Sequence, residues 1–228
     1  MGKIEYKTLN DRAYDSIKAS LINSEFIPKQ VLVIRTLAES YGISATPVRE
    51  ALQRLVGEGQ LLMLSNRSIA VPDWDAEKFL ELFKIRCELE GLASEMATPL
   101  LSKATISKLE KLALQIGKAT DARDYKGYVS LNQKFHFTIY ESANSPRLLR
   151  IIENLWGEVG VYMNELFSDQ GYADVANNEH LLIIEEIRNR NPAAVRHHMV
   201  MDITTAADHL LPRIRELATP TKETAKIT

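Results

Sequence analysis

The chain has 228 residues with 28 Lys and Arg against 30 Asp and Glu, a formal net charge of −2, and a single cysteine. One cysteine excludes a disulfide framework, and no apolar run approaches the roughly 20 residues that a bilayer-spanning helix needs. No charged-then-apolar leader opens the chain, so the expected place is the cytoplasm with no membrane partner, and the length allows one large or two small domains.

The segment from Val33 to Val71 reads as two short helices, a turn and a β-hairpin. Leu37, Ala38 and Tyr41 form one apolar face of a short helix, and Gly42 follows where a helix end favours positive φ. Ile43 fills the turn. Thr46 is expected to cap the next helix, with Pro47 at its first position, where a missing N–H is harmless. Val48, Ala51, Leu52 and Leu55 recur at helical spacing and face a core, which leaves Arg49, Gln53 and Arg54 on the outer side. Gly59 is the expected stop. Gln60 to Leu64 and Ile69 to Val71 are strand-like runs around Ser65-Asn66-Arg67-Ser68, a polar turn with a basic tip. This is a winged helix-turn-helix pattern, in which the second helix carries Thr46 and Arg49 toward a major groove while Arg67 follows the backbone.

The run Thr46 to Leu52, TPVREAL, resembles the recognition helix of the GntR family of bacterial transcription regulators, and the likeness extends upstream through Tyr14, Ile17 and the Ile27-Pro28 turn. It implies that Arg35, Thr46, Arg49 and Arg67 contact double-stranded operator DNA. Two positions depart from the common pattern: Ala45 replaces a basic residue and Ser68 replaces a wing glycine. Up to Pro72-Asp73 there are nine Lys and Arg against eight Asp and Glu, and from residue 74 onward 19 against 22. So weakly basic a head must bind through a few placed arginines, doubled by dimerisation, with affinity that falls as salt rises.

Beyond Asp73 the pattern becomes helical. The expected domains are 1–73, a winged helix-turn-helix, and 74–228, an all-helical bundle of about six helices for effector binding and dimerisation, so the fold class is mainly α. Asp75 can cap a helix whose apolar face is Phe79, Leu82, Phe83, Ile85, Leu89, Leu92, Ala93 and Met96. Further helices are expected at Lys103–Thr120, Asp124–Ser142, Pro146–Phe167, Asp174–Asn189 and Pro192–Leu217, ahead of a frayed tail over 219–228. Ligand sites in such a bundle lie between helices.

Asn132 and His136 are four apart and share a helix face, His180 opens another helix, and Asp202 lies in the last. Spacing alone leaves two readings open: a metal site, or histidines with structural roles. The second half of the chain resembles the FCD ligand-binding domain of the FadR-like branch, in which an aspartate and three histidines commonly surround a divalent metal. That resemblance puts Asn132 at the aspartate position, His136 and His180 at histidine positions, and Asp202 at the last histidine position. One carboxylate leaves and another arrives, so the formal charge of the set stays −1. Such an oxygen-rich two-histidine set suits zinc, nickel or manganese and leaves positions for water or a carboxylate. His198, one turn before Asp202, is an alternative ligand. The competing reading is a degenerate site in which Asn132 and Asp202 hydrogen-bond the histidines around an organic ligand or water.

Arg86 is the expected partner of an effector carboxylate, and an i,i+4 salt bridge with Glu90 is its plainer role. Cys87 reads as a small buried apolar residue, Trp74 and Trp156 as packing residues, and His197, His198 and His209 as solvated positions. Together these residues predict a homodimeric regulator, not an enzyme, that binds operator DNA and is released by a small organic acid, hence a repressor. Two alternatives remain: a metal-dependent hydrolase using His136, His180 and Asp202 with a base drawn from Glu141, Glu153 or Glu179, and a regulator whose signal is the metal itself.

Overall fold

A computed structural model describes residues 7–73, 76–168 and 171–218. Trp74, the expected cap Asp75 and the expected frayed tail lie outside the described residues. The chain divides into two compact units: residues up to Asp73 together with Trp156–Val161, and Trp74–Leu155 together with the residues from Tyr162 on. The fold is mainly α with one small sheet, and no helix among the described residues is long and apolar enough to cross a membrane.

In the first unit α1 (Leu9–Ile22) opens with a capping box. The Thr8 hydroxyl accepts from the Asp11 N–H, and the Asp11 carboxylate accepts from the Thr8 N–H. β1 (Val31–Leu32) precedes α2 (Ile34–Tyr41), which ends as expected at Gly42 with φ 64°. The recognition helix α3 (Ala45–Gly57) starts one residue earlier than Thr46, with Ser44 at the N-cap. Pro47 therefore sits third in the helix and not first. It is tolerated there because first-turn N–H groups have no acceptor within the helix. The helix stops at Gly57, two residues before Gly59, whose φ of 80° redirects the chain.

β2 (Leu62–Met63) and β3 (Ile69–Ala70) form the wing hairpin, shorter than the runs suggested by sequence. β1 joins β3 on its other edge, with Val31 opposite Ala70, to give the order β1-β3-β2. Two residues of strand are too short to show an alternating pattern, which is why β1 escaped sequence reading. Ile17, Leu21, Val48, Leu52, Leu55 and Leu61 make the core of this unit. α1 is also pinned to α3 by the Arg54 guanidinium 3.7 Å from the centre of the Tyr14 ring, while Tyr14 Oη and Arg54 Nε both donate to Glu58. Arg54 thus serves α1–α3 packing and is not a free outward charge.

The second unit contains α4 (Ala76–Ala97), α5 (Lys103–Asp121), α6 (Tyr125–Ser142), α7 (Pro146–Val159) as far as Leu155, a short α8 (Tyr172–Val175), α9 (Asn178–Arg188) and α10 (Pro192–Ala218). The expected helix Pro146–Phe167 instead tightens into a 3₁₀ segment from Gly160 to Ser168, just after two closely spaced glycines, Gly157 and Gly160. The expected Asp174–Asn189 is two helices, with Asn177 between them. α4 departs most from expectation: Ile85, Leu92 and Met96 are exposed, and Arg86, Glu90 and Ser94 are buried instead. α4 carries more apolar residues than one face can hold. Its buried stripe tolerates polar groups because each is satisfied: Arg86 pairs with Glu90, Ser94 donates to the Glu90 carbonyl, and Thr98 donates to the Ser94 carbonyl. Gly91 lets α10 approach. A Cβ there would lie 3.2 Å from Arg196 Cγ and Val200 Cγ2, and Arg196 reaches back to Glu88 and Glu95.

Candidate functional site

Two constellations of functional side chains stand apart, one in each unit. In the first, Thr46 and Arg49 are exposed on the first two turns of α3, opposite the face that buries Val48, Ala51, Leu52 and Leu55. Arg35 opens α2 with its side chain 89% exposed, held loosely to Glu39 at 2.9 Å. An exposed i,i+4 pair of that kind contributes about 0.3–0.5 kcal/mol, so Arg35 is readily available to another anion. Arg67 lies at the wing tip with φ 64°, in a turn closed by its own N–H to the Leu64 carbonyl and by the Ser68 N–H to Asn66 Oδ1. No side chain caps α3, which leaves first-turn N–H groups and the positive helix end facing outward beside Thr46.

In the second unit, α6, α9 and α10 bring His136, His180 and Asp202 together so that one ligand atom of each lies within 4.8 Å of the others. The two Nε2 atoms are 3.3 Å apart. Asp202 Oδ2 is 3.3 Å from His136 Nε2, and Oδ1 is 3.5 Å from His180 Nε2. His180 is fully buried and His136 nearly so, while the Asp202 side chain keeps 17% exposure. Asn132 is buried one turn before His136 on the same face of α6. It makes no hydrogen bond to the three among the described residues.

Each ring is held from behind. His180 Nδ1 lies 3.0 Å from Asn177 Oδ1, and the Asn177 amide donates to the Ala113 carbonyl, which fixes the amide's orientation and makes Oδ1 an acceptor. His180 therefore carries its proton on Nδ1 and turns the Nε2 lone pair inward. His136 Nδ1 lies 3.1 Å from the Tyr140 hydroxyl, which is itself 2.5 Å from Glu90 Oε2. Burial pulls the His180 pKa down to about 4 against the opposing pull of Asp202, so the ring stays neutral at physiological pH. Burial would raise the Asp202 carboxyl, but His180, His136 and Arg86 together leave it below its usual range. The neutral His180 ring, the His136 ring and the Asp202 carboxylate thus converge on a common space, a group of ligand types that could hold a metal ion.

Other expected residues lie elsewhere. His198 is bound to Glu179 at 2.8 Å, so it is not a member of the group, and His209 stacks edge-on against Tyr172; both are half-buried and not solvated as expected. Arg86 is 3% exposed and forks onto Glu90 through Nε at 2.6 Å and Nη2 at 3.4 Å, the plainer of its two expected roles. Cys87 is half-buried near the Thr204 hydroxyl, and burial raises its thiol pKa. Of the hydrolase bases, Glu179 is engaged by His198 and Glu141 is exposed on the helix surface. Tyr140 and Asn177 were missed by sequence reasoning, and Glu90 was foreseen only as the partner of Arg86. The 132, 136, 140 ladder along α6 and the placing of Asn177 three residues before His180 were the available signals.

Residues 9–71 match the family "Bacterial regulatory proteins, gntR family", a span that contains Arg35, Thr46, Arg49 and Arg67. Residues 81–205 match the FCD domain, a span that contains Arg86, Asn132, His136, His180 and Asp202. The chain belongs to the GntR family of bacterial regulators. This GntR regulator is 29% identical over 199 residues to the HTH-type transcriptional regulator McbR of Escherichia coli K12, covering 86% of this chain and 90% of McbR. It is 26% identical over 198 residues to the regulator YdhC of Bacillus subtilis, covering 86% and 88%. It is 27% identical over 153 residues to the transcriptional repressor GlaR of E. coli, covering 63% and 67%. The solved structure of E. coli McbR superposes with a TM-score of 0.83 over 94% of this chain and all of that one, at 24% identity, and so shares the fold. The protein is a DNA-binding transcription regulator of the ligand-responsive kind, and neither the geometry nor its relatives support the hydrolase.

Proposed function

We propose that this GntR regulator is a cytoplasmic homodimeric repressor whose FCD unit holds a divalent metal through His136, His180 and Asp202, and that a small carboxylate reaching this centre releases operator DNA. The observation that carries the proposal is the convergence of two imidazoles and a carboxylate from three helices. Tetrahedral zinc with bonds of about 2.0–2.1 Å places its ligand atoms about 3.3–3.4 Å apart. The 3.3 Å between the two Nε2 atoms fits that spacing, and the two Asp202 oxygens lie 3.3 and 3.5 Å from different rings, so the set suits zinc, nickel or manganese. Held by only these three protein donors, a metal would supply a Lewis-acid site for an anionic oxygen. The partial exposure of Asp202 supplies the way in, and Asn132 stands one helical turn from His136 with a carbonyl oxygen to add.

For the DNA face, Thr46 and Arg49 read base edges, while Arg35 and Arg67 hold phosphates. The repressor direction rests on relatives such as GlaR that are named repressors. By linkage, an acid that weakens DNA binding must itself bind more weakly to the DNA-bound protein, by the same factor.

Native mass spectrometry of the protein as purified, and after chelation and zinc addition, tests the proposal. A dimer that takes up one metal per chain supports it. A dimer that stays bare in zinc, nickel and manganese overturns the metal site. Operator duplexes selected from a random pool then report release: affinity that follows zinc alone and ignores organic acids identifies the metal itself as the signal.

A further inference from the structure

Arg86, Glu90 and Tyr140 form a buried polar chain that the DNA-reading and metal-holding roles leave unexplained. Glu90 is 0% exposed and Tyr140 is 1% exposed. Arg86 clamps both Glu90 oxygens, Tyr140 Oη lies 2.5 Å from Glu90 Oε2, and the far side of the same phenol oxygen faces His136 Nδ1 at 3.1 Å. Taking two charges and a phenol out of water is unfavourable unless they do something that an apolar trio would not.

Resting on the metal reading above, we infer that Glu90, acting through Tyr140, is the positioning residue that fixes the tautomer of His136, and that Arg86 holds Glu90 in place and does not receive an effector. The phenol has one proton. Three acceptors compete for it: the Glu90 carboxylate at 2.5 Å, Met199 Sδ at 3.2 Å and a ring nitrogen of His136 at 3.1 Å. The charged oxygen is the strongest and the closest, so the proton goes there. Toward His136 the phenol oxygen can then only accept, so Nδ1 must be the protonated nitrogen and Nε2 presents its lone pair to Asp202 and His180. A phenol hydrogen-bonded to a carboxylate is also a better acceptor than a free one, which strengthens its hold on the Nδ1 proton. The two rings are therefore held unequally: His136 through a chain ending in a charged pair, and His180 by the neutral amide of Asn177.

The test uses the full-length protein and two variants, Tyr140→Phe, which leaves the Arg86–Glu90 pair intact, and Glu90→Gln, which leaves an acceptor for the phenol but removes its charge. Zinc affinity is measured by competition with a chromogenic chelator, the His136 tautomer by ¹⁵N shifts of the metal-free protein, and folding by circular dichroism and Tm. Tyr140→Phe is expected to bind zinc about 10–100-fold more weakly with His136 redistributed between tautomers, and Glu90→Gln to fall between it and the parent. Zinc affinity within threefold of the parent, with an unchanged ¹⁵N pattern in either folded variant, overturns the inference. The tautomer reading needs no metal. A parent protein that binds no zinc while Tyr140→Phe shifts the tautomer would sink the metal proposal and leave the hold on His136 standing.

Discussion

The DNA-reading unit shows its functional groups to solvent, whereas the helical unit hides them. Arg35, Thr46, Arg49 and Arg67 are exposed, Thr46 and Arg49 on a helix whose opposite face makes the core. His136, His180, Glu90 and Tyr140 are themselves part of the core. Changes to the reading face should therefore act mainly on DNA affinity, with Arg67 and its positive φ the exception, and combine almost additively. Changes at the buried centre should reach metal affinity and stability together, because each group satisfies another.

The largest effect expected is from His180→Ala. It removes one of three converging donors and empties a fully buried site, so bound metal should disappear and Tm should fall by several degrees. Metal content by mass spectrometry and operator binding on the same sample test the contrast. Retained metal would show that the three-residue centre is misassigned, and loss of DNA binding by a protein that remains folded and dimeric would erase the separation between the two regions.

A buried carboxyl offers a second way to sharpen the comparison. Burial pushes the half-buried Glu158 up to about 7, from an ordinary value of 4.5. Its folded pKa lies above its unfolded one, so the folded protein binds more protons between those values, and stability falls as pH rises through that window. Glu158→Gln should match the parent below about pH 4.5 and exceed it by up to about 3 kcal/mol above about pH 7. Urea unfolding at pH 5 and pH 8 measures both arms; equal midpoint differences at the two values would remove the uncompensated carboxylate.

On the exposed side, Arg49→Ala should weaken operator binding by about 1–3 kcal/mol, or roughly tenfold or more, with Tm unchanged. Anisotropy titrations at several salt concentrations separate its roles: loss of a base contact relaxes the preference at one operator position, whereas loss of a phosphate contact lowers the salt slope by about one. Affinity unchanged at moderate salt would take Arg49 off the reading face.

The two regions also differed in what the sequence disclosed. In the reading head the signals are local: the helix stop at Gly42, the TPVREAL run and the polar wing turn each lie within a few residues, and the structure shifted the ends of α3, to Ser44 and Gly57, shortened the wing strands and added β1. At the centre, His136, His180 and Asp202 were legible as ligand types on three helices, but their partners were not. Glu90 sits 50 residues from the phenol it accepts from, and the apolar count on α4 favoured Ile85, Leu92 and Met96, residues the structure leaves exposed. A buried ion pair at i,i+4 spacing looks the same in sequence as a solvated one. Only packing tells them apart.

The smallest effect concerns a residue in which fold and function pull in opposite directions. Arg67 holds φ at 64°, a left-handed conformation that costs an ordinary side chain about 1 kcal/mol and that glycine adopts freely. Its turn hydrogen bonds run through backbone groups and Asn66 Oδ1, so they survive removal of the side chain. Arg67→Gly should therefore gain somewhat less than about 1 kcal/mol of stability, after the added freedom of the unfolded chain is counted. It should at the same time lose several-fold in operator affinity with a shallower salt dependence. Measuring Tm and the salt slope on one preparation decides between them. A stabilised protein with undiminished DNA binding would mean that the wing arginine is a solvated charge. A destabilised one would mean that its side chain supports the turn, and the separation of fold from function on the exposed side would fail at this position.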